Sequence, residues 1–299
     1  MIRWRYVLRL VLFAALATAV GLLLLGAEVS RRYALWLANR NCPTPTRRPE
    51  DVGLQAYQTI TFTTADGLAQ SGWYIPSENG AAVILLQGIG AGRDAMLDEA
   101  ALLAEYGYGA VLLDPRPCAG PDQTTTLGYR EAFDAVGAAA FLQTRPEVNP
   151  NRIGVLGFSI GGAGAIYSAA QSSSIGAVVA MGNYHDFYEN LTNTGGSPNI
   201  LDRTYYQVIL YFFERAARID ASRLSPISVI HRISPRPILL IFGEGEVESG
   251  RGFAQFAAAG EPKELWIVPG VGHGGYLQAD REAFAGEVIG FFDRALPAP

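Results

Sequence analysis

"RIGVLGFSIGGAGAIY", residues 152–167, sets one serine among glycines, with an apolar run on either side. "RIGVLGF" (152–158) reads as a buried strand, because it is almost continuously apolar and short. "GGAGAIYSAA" (161–170) then opens a helix. A serine on so sharp a strand-to-helix turn needs neighbours without side chains at minus two and plus two. Gly157 and Gly161 meet that need, since a Cβ at either would meet the other limb of the turn. The turn lifts Oγ of Ser159 clear of the strand and places it at a helix N-terminus, whose partial positive charge favours a developing anion. The Gly-x-Ser-x-Gly pattern is short, and its weight comes from the strand before it and the helix after it.

A nucleophilic serine needs a base, and the chain holds three histidines, His185, His231 and His273. His273 lies in "ELWIVPGVGHGGY" (264–276), just beyond the last predicted strand and before the final helix. That is the C-terminal edge of the sheet, where Ser159 also lies. His185 and His231 fall in a long inserted segment and read as surface or structural groups.

Around the serine, apolar runs alternate with helical patterns. "QTITFTT" (58–64) and "SGWYIP" (71–76) flank the turn signal "ADG" and read as an antiparallel hairpin. "AAVILLQG" (81–88), "GAVLLD" (109–114), "RIGVLGF", "GAVVAMG" (176–182), "PILLIFG" (237–243) and "ELWIVPG" (264–270) read as parallel strands covered on both faces. Helical spacing is clear at 93–107, 126–146 and 279–296. The alternation implies βαβ units and one doubly wound α/β sheet. Residues 183–236 break the rhythm, and a segment of that length inside a compact domain reads as a lid. Its aromatic stretch, with Tyr205, Tyr206, Tyr211, Phe212 and Phe213, supplies more aromatic surface than one packed helix needs. Tyr205, Tyr206 and Phe212 are the expected substrate contacts.

The first thirty residues differ in kind. "LVLFAALATAVGLLLLGA", from Leu10 to Ala27, carries no charge, and as a helix it spans about 27 Å against a hydrocarbon thickness of ~30 Å. A membrane anchor over 1–30 is the favoured reading. A cleaved signal peptide competes, but the run exceeds the usual h-region, and no good small-x-small site follows it. A buried core helix would carry polar residues along one face. Arg3, Arg5 and Arg9 precede the run; Arg31, Arg32 and Arg40 follow it, so charge does not settle orientation. A short basic tail before a first helix usually stays inside, which places the catalytic domain outside the cytoplasm. Residues 31–55, with "RNCPTPTRRPEDVG" (40–53), read as a linker, and 56–299 as the catalytic domain. Cys42 and Cys118 are compatible with one disulfide in an oxidising compartment, or with two unrelated thiols. The net charge of −5 and the lack of a basic block beyond the N-terminal region argue against a nucleic-acid partner.

With "GFSIGG", "VPGVGHGGY", "PRPILLIFGE" and "LLQGIGAGRDAML" together, the chain from about Tyr57 onwards resembles the serine hydrolases of the α/β-hydrolase superfamily. It is most similar to bacterial membrane-anchored members related to serine aminopeptidases and to the prolyl-oligopeptidase catalytic domain. The resemblance implies an eight-stranded, mostly parallel sheet with helices on both faces and a lid between strands six and seven. It also implies a triad acid at the end of strand seven, where relatives carry Asp in a Gly-x-x-Asp pattern. Here "FGEGEVESG" puts Glu246 in that place, with Glu244 and Glu248 nearby and Asp186 beyond strand six as a further candidate. Glu can hold an imidazole as Asp does.

Two other departures concern the rim. Gln87-Gly88 stands where relatives often have His-Gly, and "DPRPCAGPD" where they carry Gly-His-Gly. The oxyanion hole is expected from the backbone amides of Ile89 and Ile160, which does not require the missing histidine. The expected activity is hydrolysis of an ester, amide or peptide through an acyl-enzyme, carboxylesterase-like. The substrate is a small molecule and could be lipid-like; no metal or organic cofactor is implied. A catalytically silent hydrolase fold serving as a tethered binding module is the alternative.

Overall fold

The structure is a computed structural model describing residues 2–38, 41–192, 200–247 and 250–298. Eight strands form one sheet in the order β1-β2-β4-β3-β5-β6-β7-β8. They run Gln58–Thr63 (β1), Ala69–Ile75 (β2), Ala82–Leu86 (β3), Gly109–Leu113 (β4), Ile153–Phe158 (β5), Ala177–Met181 (β6), Ile238–Gly243 (β7) and Lys263–Val268 (β8). β2 pairs antiparallel with both β1 and β4, and every other pairing is parallel. Each of the eight apolar runs in the sequence is therefore a strand.

Ten helices accompany the sheet: Ile2–Leu37 (α1), Leu97–Glu105 (α2), Glu131–Leu142 (α3), Ile160–Gln171 (α4), Phe187–Thr192 (α5), Ile200–Ala217 (α6), Glu244–Val247 (α7), Arg251–Ala258 (α8), Tyr276–Ala279 (α9) and Arg281–Ala295 (α10). Successive residues of a strand face opposite sides, so the buried sheet feeds two cores. Val83 and Leu85 of β3 join Leu97 and Leu103 of α2 and Phe284, Val288 and Phe292 of α10 on one side. Ala82, Ile84 and Leu86 join Ala135, Ala138 and Ala139 of α3 and Ala165 and Ile166 of α4 on the other. The alanines explain the close seating of α3 and α4: small side chains let a helix approach the sheet.

Two helices are shorter than their apolar spacing suggests. The pattern at 126–146 becomes helical only from Glu131, whose carboxylate accepts hydrogen bonds from the Thr126 amide and hydroxyl and the Gly128 amide. The pattern at 279–296 is divided at Asp280, which is extended and caps α10 by accepting from the Ala283 amide at 2.9 Å.

The segment expected as a linker over 31–55 is largely bound to the domain. α1 runs unbroken to Leu37, and Ala34, Leu37 and Ala38 are buried in a third apolar cluster with Leu127, Tyr167, Tyr184, Phe187, Ile209 and Phe213. α1 and α6 lie alongside one another. Cys42 and Cys118 form a disulfide, which resolves the alternative left open by the sequence. Beyond it, the Asp94 carboxylate accepts from the amides of Thr46 and Arg47, and Arg47 forms a paired contact with Asp98. A short apolar stripe on the last turns of α1 and a few polar contacts in the next ten residues suffice to dock this stretch.

Candidate active site

Ser159 stands between β5 and α4 with φ 56° and ψ −119°, left-handed backbone that a residue with a side chain adopts only when its surroundings force it. Its amide donates to the Met181 carbonyl of β6 at 2.8 Å, which holds the turn against the neighbouring strand. The glycines act as the sequence requires. A Cβ on Gly157 would overlap the Gly161 carbonyl, and one on Gly161 would overlap the Leu86 carbonyl of β3.

His273 lies on the loop after β8. Its Nε2 is 3.1 Å from Ser159 Oγ, and its Nδ1 is 2.7 Å from Glu246 Oε1. Glu246 sits in α7, the single turn that follows β7. Its other oxygen, Oε2, accepts from the Gly243 amide at 2.9 Å and from the Tyr276 hydroxyl. Burial pushes the Glu246 carboxyl up, but the hydrogen bonds from His273, Tyr276 and the Gly243 amide outweigh it and hold the group below the usual glutamate value. Tyr276, buried and facing that carboxylate, is pushed well above the ordinary phenol value. Its hydroxyl therefore stays protonated and donates. Phe158 packs against both partners, with ring centroids 4.9 Å from His273 and 5.9 Å from Tyr276, and limits where the imidazole can turn.

The other acids lie elsewhere. Glu244 is exposed and accepts from the Gly270 amide. Asp186 accepts from the Glu189 amide at the start of α5. Glu248 lies outside the described residues. His185 is paired with Glu189 at 2.7 Å, and His231 is exposed on a short 3-10 turn. Ile160 is the first residue of α4, so its amide is one of the unpaired amides of a helix start. Ile89 occupies the turn after β3, and both isoleucines border the same cavity as Ser159 and His273.

That cavity, about 330 Å³, is lined mostly by apolar side chains: Leu127, Tyr184, Phe187 and Phe242 from the domain and Tyr33, Trp36 and Leu37 from α1. Tyr205, Tyr206 and Phe212, expected as substrate contacts, are not among its lining residues. α6 turns Ile209 and Phe213 into the third cluster, with Tyr206 and Phe212 packed at its edge, and α1 runs beside it. The aromatic surplus of α6 is thus spent largely on packing near α1, while α1 reaches the cavity. Sequence reasoning missed Tyr33, Trp36 and Leu37 because they followed an apolar run and read as the start of a linker. It also missed Tyr276, which lies three residues after His273 in the same motif.

The strand order, the elbow after β5 and the loops after β7 and β8 meeting above it decide the fold. The chain has the α/β-hydrolase fold. Solved structures agree. The esterase Pf2001 of Pyrococcus furiosus superposes with TM-score 0.67 at 22% identity, covering 87% of this chain and 98% of that one. The α/β hydrolase GrgF from Penicillium superposes with TM-score 0.63 at 22% identity, covering 81% and 99%. An acylaminoacyl peptidase of Pyrococcus horikoshii superposes with TM-score 0.59 at 19% identity, covering 81% of this chain and 42% of its own. By sequence, the chain is 24% identical to the polyketide transferase grgF of Penicillium over 290 residues, 79% of this chain and 95% of the relative. It is 28% identical to the protein PA2218 of Pseudomonas aeruginosa in a match that covers 80% of this chain and 81% of the relative. The acetyl xylan esterase family model matches residues 118–223, a stretch that includes the elbow but neither Glu246 nor His273.

Proposed function

We propose that this protein is a serine hydrolase that cleaves ester bonds through an acyl-enzyme, with Ser159, His273 and Glu246 as its triad. The observation that carries the reading is the unbroken chain of contacts from Ser159 Oγ to His273 Nε2 and from His273 Nδ1 to Glu246. Ser159 Oγ attacks the acyl carbon while His273 takes its proton and then delivers it to the departing alcohol. Water, deprotonated by His273, releases the acyl group as the acid. The amides of Ile89 and Ile160 face the oxyanion, and Glu246 stabilises the imidazolium that forms. Among the described residues, the only ionisable acid or base side chains lining the cavity, apart from its tyrosines, are Glu246 and His273. With no cation there to grip a peptide carboxylate, an ester with an apolar acyl group suits the cavity better than a peptide. The acetyl xylan esterase match and the esterase-like structure from Pyrococcus support the same class.

Two relatives named as polyketide transferases favour one second reading, transfer of the acyl group to an alcohol in place of water. α1 serves as a retained anchor over 1–30 in this reading, since one face of its last turns, with Ala34 and Leu37, is buried in the catalytic domain, and the disulfide fits a domain outside the cytoplasm.

A fluorophosphonate probe and a p-nitrophenyl ester panel test the proposal. Ser159 should label, and Ser159→Ala should lose ester turnover by about 10⁴-fold or more. A wild-type protein that neither labels nor turns over any ester would instead leave the silent binding module. Products formed on adding an alcohol acceptor separate hydrolase from transferase.

A further inference from the structure

We propose that the last two turns of α1 form one wall of the acyl-binding cavity, and that the preferred substrates are long-chain acyl esters drawn from the membrane that α1 enters. The inference rests on the esterase reading above and adds the substrate class.

Three observations lead there. α1 is one unbroken helix from Ile2 to Leu37, and its apolar part opens directly into the cavity wall through Tyr33, Trp36 and Leu37. The apolar run ends at Ala27, and Trp36 lies nine residues on, about 13 Å along a helix. The headgroup layer takes up roughly 5–8 Å of that distance on each side of the hydrocarbon, which leaves Trp36 about 5–8 Å beyond it. Ser159 lines the same cavity as Trp36, so a long acyl chain whose carbonyl is held at Ser159 can keep its far end in lipid.

The second observation is a track. Leu22, Leu25, Val29, Tyr33 and Trp36 recur at spacings of three and four, which puts them on one stripe of α1, and all five are exposed. Glu28 and Arg31 are ion-paired on a neighbouring stripe, and Arg32, also paired with Glu28, borders the apolar one, three residues after Val29 and four before Trp36. The apolar stripe thus leads from the membrane-length segment to the cavity mouth, with Arg32 at its edge held by the Glu28 carboxylate. Tyr33 and Trp36 are stacked, with centroids 5.7 Å apart, between the membrane-length segment and the cavity.

The third is the cavity itself. Ile89, Leu127, Phe187 and Phe242 line it along with the α1 residues, a surface suited to methylenes, and Asn183 and Asn190 add two polar amide side chains. The covalent steps are those already given, so the products are a fatty acid and the alcohol that carried it.

The test uses the full-length protein in phosphatidylcholine vesicles, with p-nitrophenyl palmitate in the bilayer and p-nitrophenyl acetate in water. Wild type should favour palmitate in kcat/KM. Trp36→Ala should lower the palmitate-to-acetate ratio about tenfold, the loss expected for one large apolar contact, and Trp36→Phe should recover most of it. Val29→Glu, which interrupts the track outside the cavity, should lower the same ratio. Fluorophosphonate labelling of Ser159 in each variant shows that the fold and nucleophile survive. A ratio that favours acetate in wild type, or one unmoved by all three substitutions in protein that labels normally, overturns the inference while leaving the esterase standing. Failure of the wild-type protein to label overturns both.

Discussion

Glu246 depends on its second oxygen as much as on its contact with His273. That oxygen accepts from the Tyr276 hydroxyl and the Gly243 amide, and these bonds keep the carboxyl ionised although burial opposes it. A carboxyl held below its ordinary value stays charged as pH falls, and its contribution to the folded, active state disappears only when pH passes through the lowered value. Tyr276→Phe removes one donor, so protonation occurs at higher pH. The loss of activity that accompanies Glu246 protonation should begin at higher pH, with kcat lower by about tenfold at neutral pH, the cost of a hydrogen bond to a charged group. Glu246→Gln keeps the shape and loses the charge, and kcat should fall by about 10²–10⁴-fold. A pH–rate profile of Tyr276→Phe that coincides with wild type would remove the positioning role from Tyr276.

At the scale of elements, the elbow is the least tolerant part of the molecule. β5, α4 and β3 meet where Gly157 and Gly161 leave no room for a methyl group, since the atoms opposing it are backbone and cannot rotate away. Gly157→Ala should destabilise the fold by about 3 kcal/mol or more, or prevent folding, as read by denaturant melts. The stretch after α1 is held more lightly. Asp98 is kept below its usual value by its hydrogen bond with Arg47. At Asp94 burial raises the value, but donors from Thr46 and Arg47 outweigh it. Both carboxylates support docking above the ordinary aspartate range, and that support is lost as pH falls through the lowered values. Proteolytic cutting near residues 43–48 should accelerate on acidification well before the core unfolds, and Asp94→Asn should bring the same sensitivity to neutral pH.

On the scale of the whole molecule, α1, long and apolar enough to cross a membrane, is joined to the domain by a buried face and by the disulfide just beyond it. Cys42 and Cys118 are separated by 76 residues, so their disulfide closes a long loop and restricts the unfolded chain. The Cys42→Ser, Cys118→Ser double variant should lose about 2–4 kcal/mol of stability by denaturant titration in detergent. Reduction of the wild type should reproduce the effect, and stability identical in both states would show that the apolar face of α1 alone holds it. Thiol alkylation of protein taken directly from cells reports the compartment as well. A disulfide found intact agrees with a domain outside the cytoplasm.

Eight strands, the elbow and the His273 loop could be read from residues near one another in the chain. They rest on local demands: apolar runs that need burial on both faces, glycines where a Cβ has no space, and a histidine just past a strand end. Glu246 stood out from its neighbours through resemblance, whereas its contacts come from the meeting of the β7 and β8 loops. What the chain could not announce was the use made of its aromatic segments. The tyrosines of α6 and those of α1 look alike as sequence, and nothing in their spacing says which set borders the cavity. That choice is made by packing, because a helix can bury only one face. Once Ile209 and Phe213 take α6 into the core, α1 settles beside it, and Tyr33 and Trp36 are left at the mouth above Ser159.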